Sequence, residues 1–257
     1  MRYVTWGSGP TVILVHGLCD QPLSFAMLMA ELVDRGFRCV CYDLANGKDD
    51  DAKLGVYTHA DFADDLITLL DHLKLDTADV KGSSFGSTVV LHALLRQPTR
   101  FRRVVLQGGF AHRPLMRIER GLARLGRYWP WRMGQLPIRN TVMEKLEKHQ
   151  FVGCPPEVFQ FLIECSGDTP IRAAARRALI LDKLDLRPRL SQIAHPVLMI
   201  GGDRDAIVPR WCEADVEKGL SNVRRVEFAP CGHYPQYTMP RPMAEEMARF
   251  LNGSHFP

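Results

Sequence analysis

Three residue types with the chemistry of acyl transfer stand in this chain at positions where short apolar runs give way to turns. Gly82-Ser83-Ser84-Phe85-Gly86 is a G-x-S-x-G run between the apolar stretch Ala78 to Gly82 and an apolar helical pattern, Thr88 to Arg96. A strand-to-helix turn of this kind lifts one side chain above a sheet edge. There, free N–H groups and the helix dipole stabilise developing negative charge. A serine hydroxyl is a weak nucleophile and needs a general base that a carboxylate orients. Asp205, in Gly202-Asp203-Arg204-Asp205-Ala206-Ile207-Val208-Pro209, follows the apolar run Pro196 to Ile200. His233, in Cys231-Gly232-His233-Tyr234-Pro235, follows the run Arg224 to Phe228. These assign Ser84 as nucleophile, His233 as base and Asp205 as the orienting acid. Asp203, directly after Gly202, reads as a loop-capping side chain. His59, His72, His92 and His149 fall in helical patterns and read as surface or packing residues.

Converging these residues requires a sheet whose strands end on one edge. Strand patterns occur at Arg2 to Trp6, Thr11 to His16, Phe37 to Asp43, Ala78 to Gly82, Arg102 to Gln107, Pro196 to Ile200 and Arg224 to Phe228. Helical patterns at Pro22 to Arg35, Ala60 to Leu75 and Thr88 to Arg96 alternate with them, as Phe62, Ile67, Leu70 and Leu73 illustrate. The alternation predicts an α/β fold with a mainly parallel sheet, its first two strands joined as a hairpin through Gly7-Ser8-Gly9-Pro10. It breaks after Gly109 and resumes at Pro196, which predicts a core of residues 1–111 and 191–257 with a helical cap at 112–190. The first cap helix is expected over Pro114 to Leu125, packing through Leu115, Ile118, Leu122 and Leu125. A second is expected from Pro155-Pro156 through Val158, Phe159, Phe161 and Leu162, and a third over Ile171 to Leu184.

Composition bounds the remaining classes. The 257 residues, 46% hydrophobic and 24% charged, supply one substantial core and none of the biases of collagen, coiled coils or disorder. Seven cysteines without C-x-x-C spacing favour neither a disulfide framework nor zinc, so reduced thiols and a cytoplasmic location are expected. Nothing at Met1-Arg2-Tyr3 resembles a signal peptide, and no apolar run is long enough for a membrane span. A net charge of +4 is no argument for nucleic acid. Its distribution is uneven, because residues 112–190 carry 15 Lys and Arg against 8 Asp and Glu, which leaves the rest of the chain net acidic.

With these motifs in place, the chain resembles the α/β-hydrolase superfamily over essentially its full length, as a small capped serine carboxylesterase. Ser84 matches the nucleophile of the elbow, Asp205 with Pro209 the acid loop, and His233 the base of the G-H loop. His16-Gly17-Leu18 resembles the H-G motif, which implies that Leu18 donates one oxyanion-hole N–H and Phe85 the second, with His16 structural. Serine at the elbow argues against haloalkane dehalogenase and epoxide hydrolase relatives. Three departures stand out: Asp43-Leu44-Ala45-Asn46-Gly47-Lys48-Asp49 in place of the usual D-x-R-G-x-G-x-S, Ser87 after Gly86, and Lys81 at a usually apolar position. Asp49-Asp50-Asp51 reads as a solvated charge run rather than a cation site. A weaker similarity is to pimeloyl-acyl carrier protein methyl ester esterase, with a basic cap facing an acidic carrier.

The expected partner is a small-molecule ester, with an acidic carrier protein as the second candidate. No metal or organic cofactor is expected. Arg113, Arg117, Arg120, Arg124 and Arg127 recur at four- and three-residue spacing. They read as a solvated face, as a site for an anionic group or acidic protein through Arg117, Arg120 and Arg124, or as a membrane-adsorbing face. Trp129, Trp131, Phe159 and Phe161 are candidate walls of an acyl pocket or cap core. The same triad would serve a cofactor-free perhydrolase or a carbon-carbon bond hydrolase, and the fold would also suit a non-catalytic receptor.

Overall fold

The structure is a computed structural model that describes residues 1–45, 57–151 and 153–253. The Asp49-Asp50-Asp51 run and most of the loop expected to depart from the family pattern lie outside them. Seven strands form one sheet: β1 (Tyr3–Trp6), β2 (Thr11–Val15), β3 (Arg38–Tyr42), β4 (Ala78–Ser83), β5 (Phe101–Gln107), β6 (Val197–Gly202) and β7 (Val223–Phe228). Each lies within two residues of its predicted bounds. Their order is β1-β3-β2-β4-β5-β6-β7, parallel except for β1.

The predicted hairpin does not form. β2 is flanked by β3 and β4, so β1 crosses over and pairs antiparallel with β3. A buried apolar strand such as β2 gains most with partners on both edges and cover on both faces. Gly7 and Gly9, at φ 79° and 106°, instead carry the chain past the turn after α1 (Ala26–Val33), where a Cβ on either would collide with Phe37 O or Gly36 O.

Side chains alternate between the two faces of the sheet. Val12, Leu14, Cys39, Cys41 and Val105 pack with α1 and with α10 (Pro240–Leu251). Ile13, Val15, Val40, Val80 and Leu106 pack with α2 (His59–His72) and α3 (Phe85–Arg96). α8 (Arg210–Gly219) and α9 (Pro235–Thr238) follow β6 and β7.

Between β5 and β6 lie α4 (Arg117–Gly126), α5 (Arg139–Glu147), α6 (Pro156–Gly167) and α7 (Ile171–Leu181). α5 has no clear apolar period and was not anticipated. The orientation of α4 corrects the sequence reading. Leu115 is buried, but Ile118, Leu122 and Leu125 are 69%, 65% and 72% exposed. The inward face is made of buried Ala123 and of half-buried Gly126, which lies against α7 so closely that an added Cβ would sit 3.2 Å from Ala175 Cβ. Small residues permit this approach. Two arginines on the inner side are neutralised, Arg120 by Asp182 at 2.6 and 2.8 Å and Arg113 by Glu119 at 2.9 Å. No helix among the described residues is long and apolar enough to cross a membrane.

Candidate active site

Ser84 occupies the sharp turn between β4 and α3, at φ 50° and ψ −117°. A side chain rarely adopts this backbone, and it persists because its surroundings over-determine it. Ser84 N donates to Gln107 O at 2.8 Å. A Cβ on Gly82 would lie 2.6 Å from Gly86 O, and one on Gly86 would collide with Val15 O, so the turn admits only glycine on either side. Phe85 opens α3, and its N–H therefore has no carbonyl of an earlier helical turn to bond.

His233 and Asp205 meet at the same edge, with Nδ1 and Oδ2 2.7 Å apart. Asp205 Oδ1 also accepts the N–H groups of Ile207 and Val208, each at 2.8 Å. Burial works to raise the Asp205 carboxyl, but His233 and these backbone donors outweigh it and hold it below the usual range. Burial likewise opposes the charged form of His233, yet the carboxylates of Asp205, Asp20 and Glu147 carry its pKa above the ordinary value. Gly108, at φ 52°, leaves room for the pair, since a Cβ there would lie 2.8 Å from His233 Cε1. Asp203 has the capping role expected of it, accepting Cys231 N at 2.8 Å.

His16 lies under the turn that carries Leu18. Its Nδ1 bonds Gly17 O at 2.9 Å and its Nε2 accepts Leu44 N at 3.2 Å. Burial brings its pKa down to about 3, so it is a neutral structural group. A Cβ on the neighbouring Gly17 would sit 3.7 Å from Ser84 Cβ and 2.9 Å from Asp20 Oδ2, which brings the Leu18 turn, Ser84 and the Asp20 carboxylate together.

Several residues around this site carry contacts to which the sequence assigns no role. Gln107, at the end of β5, accepts from Ser83 Oγ at 2.6 Å and Lys81 Nζ at 3.0 Å, and its Nε2 donates to His233 O at 2.7 Å. One residue thus ties the Ser84 backbone to the His233 backbone. Lys81 is fully buried, also bonds Ser83 Oγ, and lies 4.0 Å from the Phe25 ring centroid; burial lowers its pKa to about 7. From the inserted segment, Gln150 accepts His233 N at 2.8 Å and Thr169 Oγ1 donates to Cys19 O at 2.7 Å. Arg177, 1% exposed, donates to Leu18 O and Leu44 O at 2.9 Å and to Ala45 O at 3.1 Å. The only sequence signal for Lys81 and Gln107 is a polar residue within an apolar strand.

The candidate substrate residues do not form one group. Phe159 is buried on Phe151 and Phe161 packs on Tyr237, whereas Trp129 and Trp131 are each 45% exposed and meet edge to face. The arginine stripe also divides. Arg120 is committed to Asp182 and the Leu115 carbonyl, while Arg117 and Arg124 are exposed.

Comparison with known proteins agrees with this architecture. The chain is similar to 3-oxoadipate enol-lactonase 2 of Acinetobacter baylyi, 26% identical over 80% of this chain and 76% of that one. It is similar to a pimeloyl-[acyl-carrier protein] methyl ester esterase of Nitrosomonas europaea, 27% identical over 92% and 93% of the two chains. Among solved structures, an esterase from Exiguobacterium antarcticum superposes with a TM-score of 0.83 at 20% identity, over 98% of this chain and 95% of that one. The enol-lactonase from Burkholderia xenovorans LB400 does so at 0.83 and 21%, over 98% and 96%. At these identities the superpositions establish the fold alone. A family model described as alpha/beta hydrolase fold matches residues 10–144, more than half of the sequence, and the chain belongs to that family.

Proposed function

We propose that the protein is a serine hydrolase of carboxylic esters. Ser84 Oγ attacks the acyl carbon and His233 Nε2 takes its proton. The N–H groups of Leu18 and Phe85 hold the oxyanion, and His233 then protonates the leaving alcohol. Water repeats the sequence on the acyl-enzyme. Asp205 keeps the proton on Nδ1, which leaves Nε2 free to act as base, and it stabilises the imidazolium. The observation that carries this reading is the pairing of a left-handed Ser84 with a His233–Asp205 contact of 2.7 Å, both anchored through Gln107.

In this reading residues 112–190 act as a lid, supported by the bonds from Gln150 and Arg177 to the loops of His233 and Leu18. The enol-lactonase relative makes lactones part of the substrate class, and the esterase relative from Nitrosomonas europaea supports an ester on an acidic carrier protein as the second reading. Labelling with a fluorophosphonate, followed by hydrolysis rates over esters, thioesters, lactones and carrier-linked esters, tests the proposal. The label should attach to the native protein and be lost in Ser84→Ala with the fold intact. Full hydrolysis by Ser84→Ala would overturn the mechanism, and turnover of none of the panel by the native protein would favour a receptor.

A further inference from the structure

The outward face of α4 is unlike the rest of the surface. Ile118, Leu122 and Leu125 form an apolar ridge spanning about 60° of the helix circumference at 100° per residue, and each is about two-thirds exposed or more. Arg117 and Arg124 flank the ridge on one side. Beyond the helix the same character continues into Tyr128, 72% exposed, with the Arg127 guanidinium stacked on its ring, and into the exposed pair Trp129 and Trp131. Apolar exposure this dense on one short stretch marks an interaction site rather than ordinary surface.

Charge narrows the choice of occupant. Residues 112–143 contain seven arginines and one acid, Glu119, which is already engaged by Arg113 and caps the helix at Met116 N. Among the described residues, no carboxylate pairs with Arg117, Arg124 or Arg127 within salt-bridge distance; the nearby Asp182 is claimed by Arg120. A second copy docking through the same face about a twofold axis would set these cations against each other. An apolar ridge edged by cations and followed by tryptophan and tyrosine suits an anionic bilayer. There aliphatic side chains enter the acyl boundary, indole and phenol rings sit at headgroup level, and arginines meet phosphate.

We propose that α4 and the Tyr128–Trp131 turn dock the protein on anionic lipid surfaces. A cleft of about 560 Å³ opens beside this face, lined by Arg127 and Tyr128 together with Arg176, Ile180 and Lys183. His59, which also lines it, packs edge-on against Phe85, the residue directly after Ser84, at 5.9 Å. Arg127 and Tyr128 thus belong both to the docking face and to the lining of this cleft.

Co-sedimentation with vesicles tests the surface independently of any activity. The native protein should bind vesicles of phosphatidylcholine and phosphatidylglycerol (3:1) at low salt, with a blue shift of tryptophan emission. It should bind phosphatidylcholine alone at least tenfold more weakly. Arg117→Gln/Arg124→Gln/Arg127→Gln should weaken binding about a hundredfold, at about fivefold per cation, and Leu122→Ser/Leu125→Ser should do so with charge unchanged. Unchanged thermal unfolding checks that both variants fold. The proposal is overturned if the native protein stays in solution, if the serine variant binds as well as the native protein, or if the face instead binds an acidic carrier protein and no vesicles.

Discussion

Lys81 gives the sharpest test of the physics beneath the site. Its ammonium is 0% exposed, its partners Ser83 and Gln107 are neutral, and burial lowers its pKa from 10.5 to about 7. Between those pH values the unfolded chain holds a proton on Lys81 that the folded chain does not. The contribution of this group to stability is therefore fully present above about 10.5 and lost as pH falls to about 7. At about 1.4 kcal/mol per pH unit, that interval sets a ceiling of about 5 kcal/mol. Lys81→Met removes the titration, keeps the contact with Phe25 and leaves Gln107 Oε1 with Ser83. The lost hydrogen bonds cost about 1 to 2 kcal/mol at every pH. The variant should thus be the less stable chain near pH 10 and gain on the native protein steadily toward pH 7. Urea unfolding at pH 7, 8, 9 and 10 measures this directly. Groups that do not interact with Lys81 are common to both chains and cancel, whereas Asp20 and Cys41, whose charged forms interact with its ammonium, belong to the difference that the experiment reads. Parallel stability curves for the two proteins would refute the argument, because they would mean that Lys81 titrates alike in the folded and unfolded states.

Ser84→Gly relieves a backbone at φ 50° and should raise stability by about 1 kcal/mol while abolishing turnover; a loss of stability in urea would show that the turn is unstrained. His16 and His59, whose pKa values burial lowers to about 3, bind protons only in the unfolded chain as pH drops below 6.5. Stability should fall through that window by up to about 1.4 kcal/mol per pH unit for each, and His59→Asn should flatten the acid limb measured by urea unfolding. Arg177→Met frees the carbonyls of Leu18, Leu44 and Ala45, so kcat should fall about tenfold or more with a smaller change in KM. Unaltered kcat in a folded Arg177→Met protein would separate the arginine from the role proposed for the Leu18 turn.

What the sequence determines by itself is what local chemistry dictates. The five inner strands, β2 to β6, are legible because a strand covered on both faces must be a short, nearly continuous apolar run, and Gly82 and Gly86 are legible because the turn at Ser84 excludes a Cβ. The candidate roles of Asp205 and His233 follow from turns after such runs, and the structure brings the two side chains to 2.7 Å. Tertiary structure decided what depends on partners distant in sequence. Whether β1 pairs with β2 or β3 turns on which edge of β2 is free, and no property of residues 3–15 records that. The inner face of α4 was set by Ala123 and Gly126 meeting Ala175 and by Asp182 claiming Arg120, so periodicity identified an amphipathic helix but assigned its apolar side inward. Gln107, Gln150 and Arg177 act through side-chain hydrogen bonds to backbone atoms 83 to 159 residues away. Such a bond leaves no pattern in the neighbouring sequence, because only the folded chain puts donor and acceptor within reach.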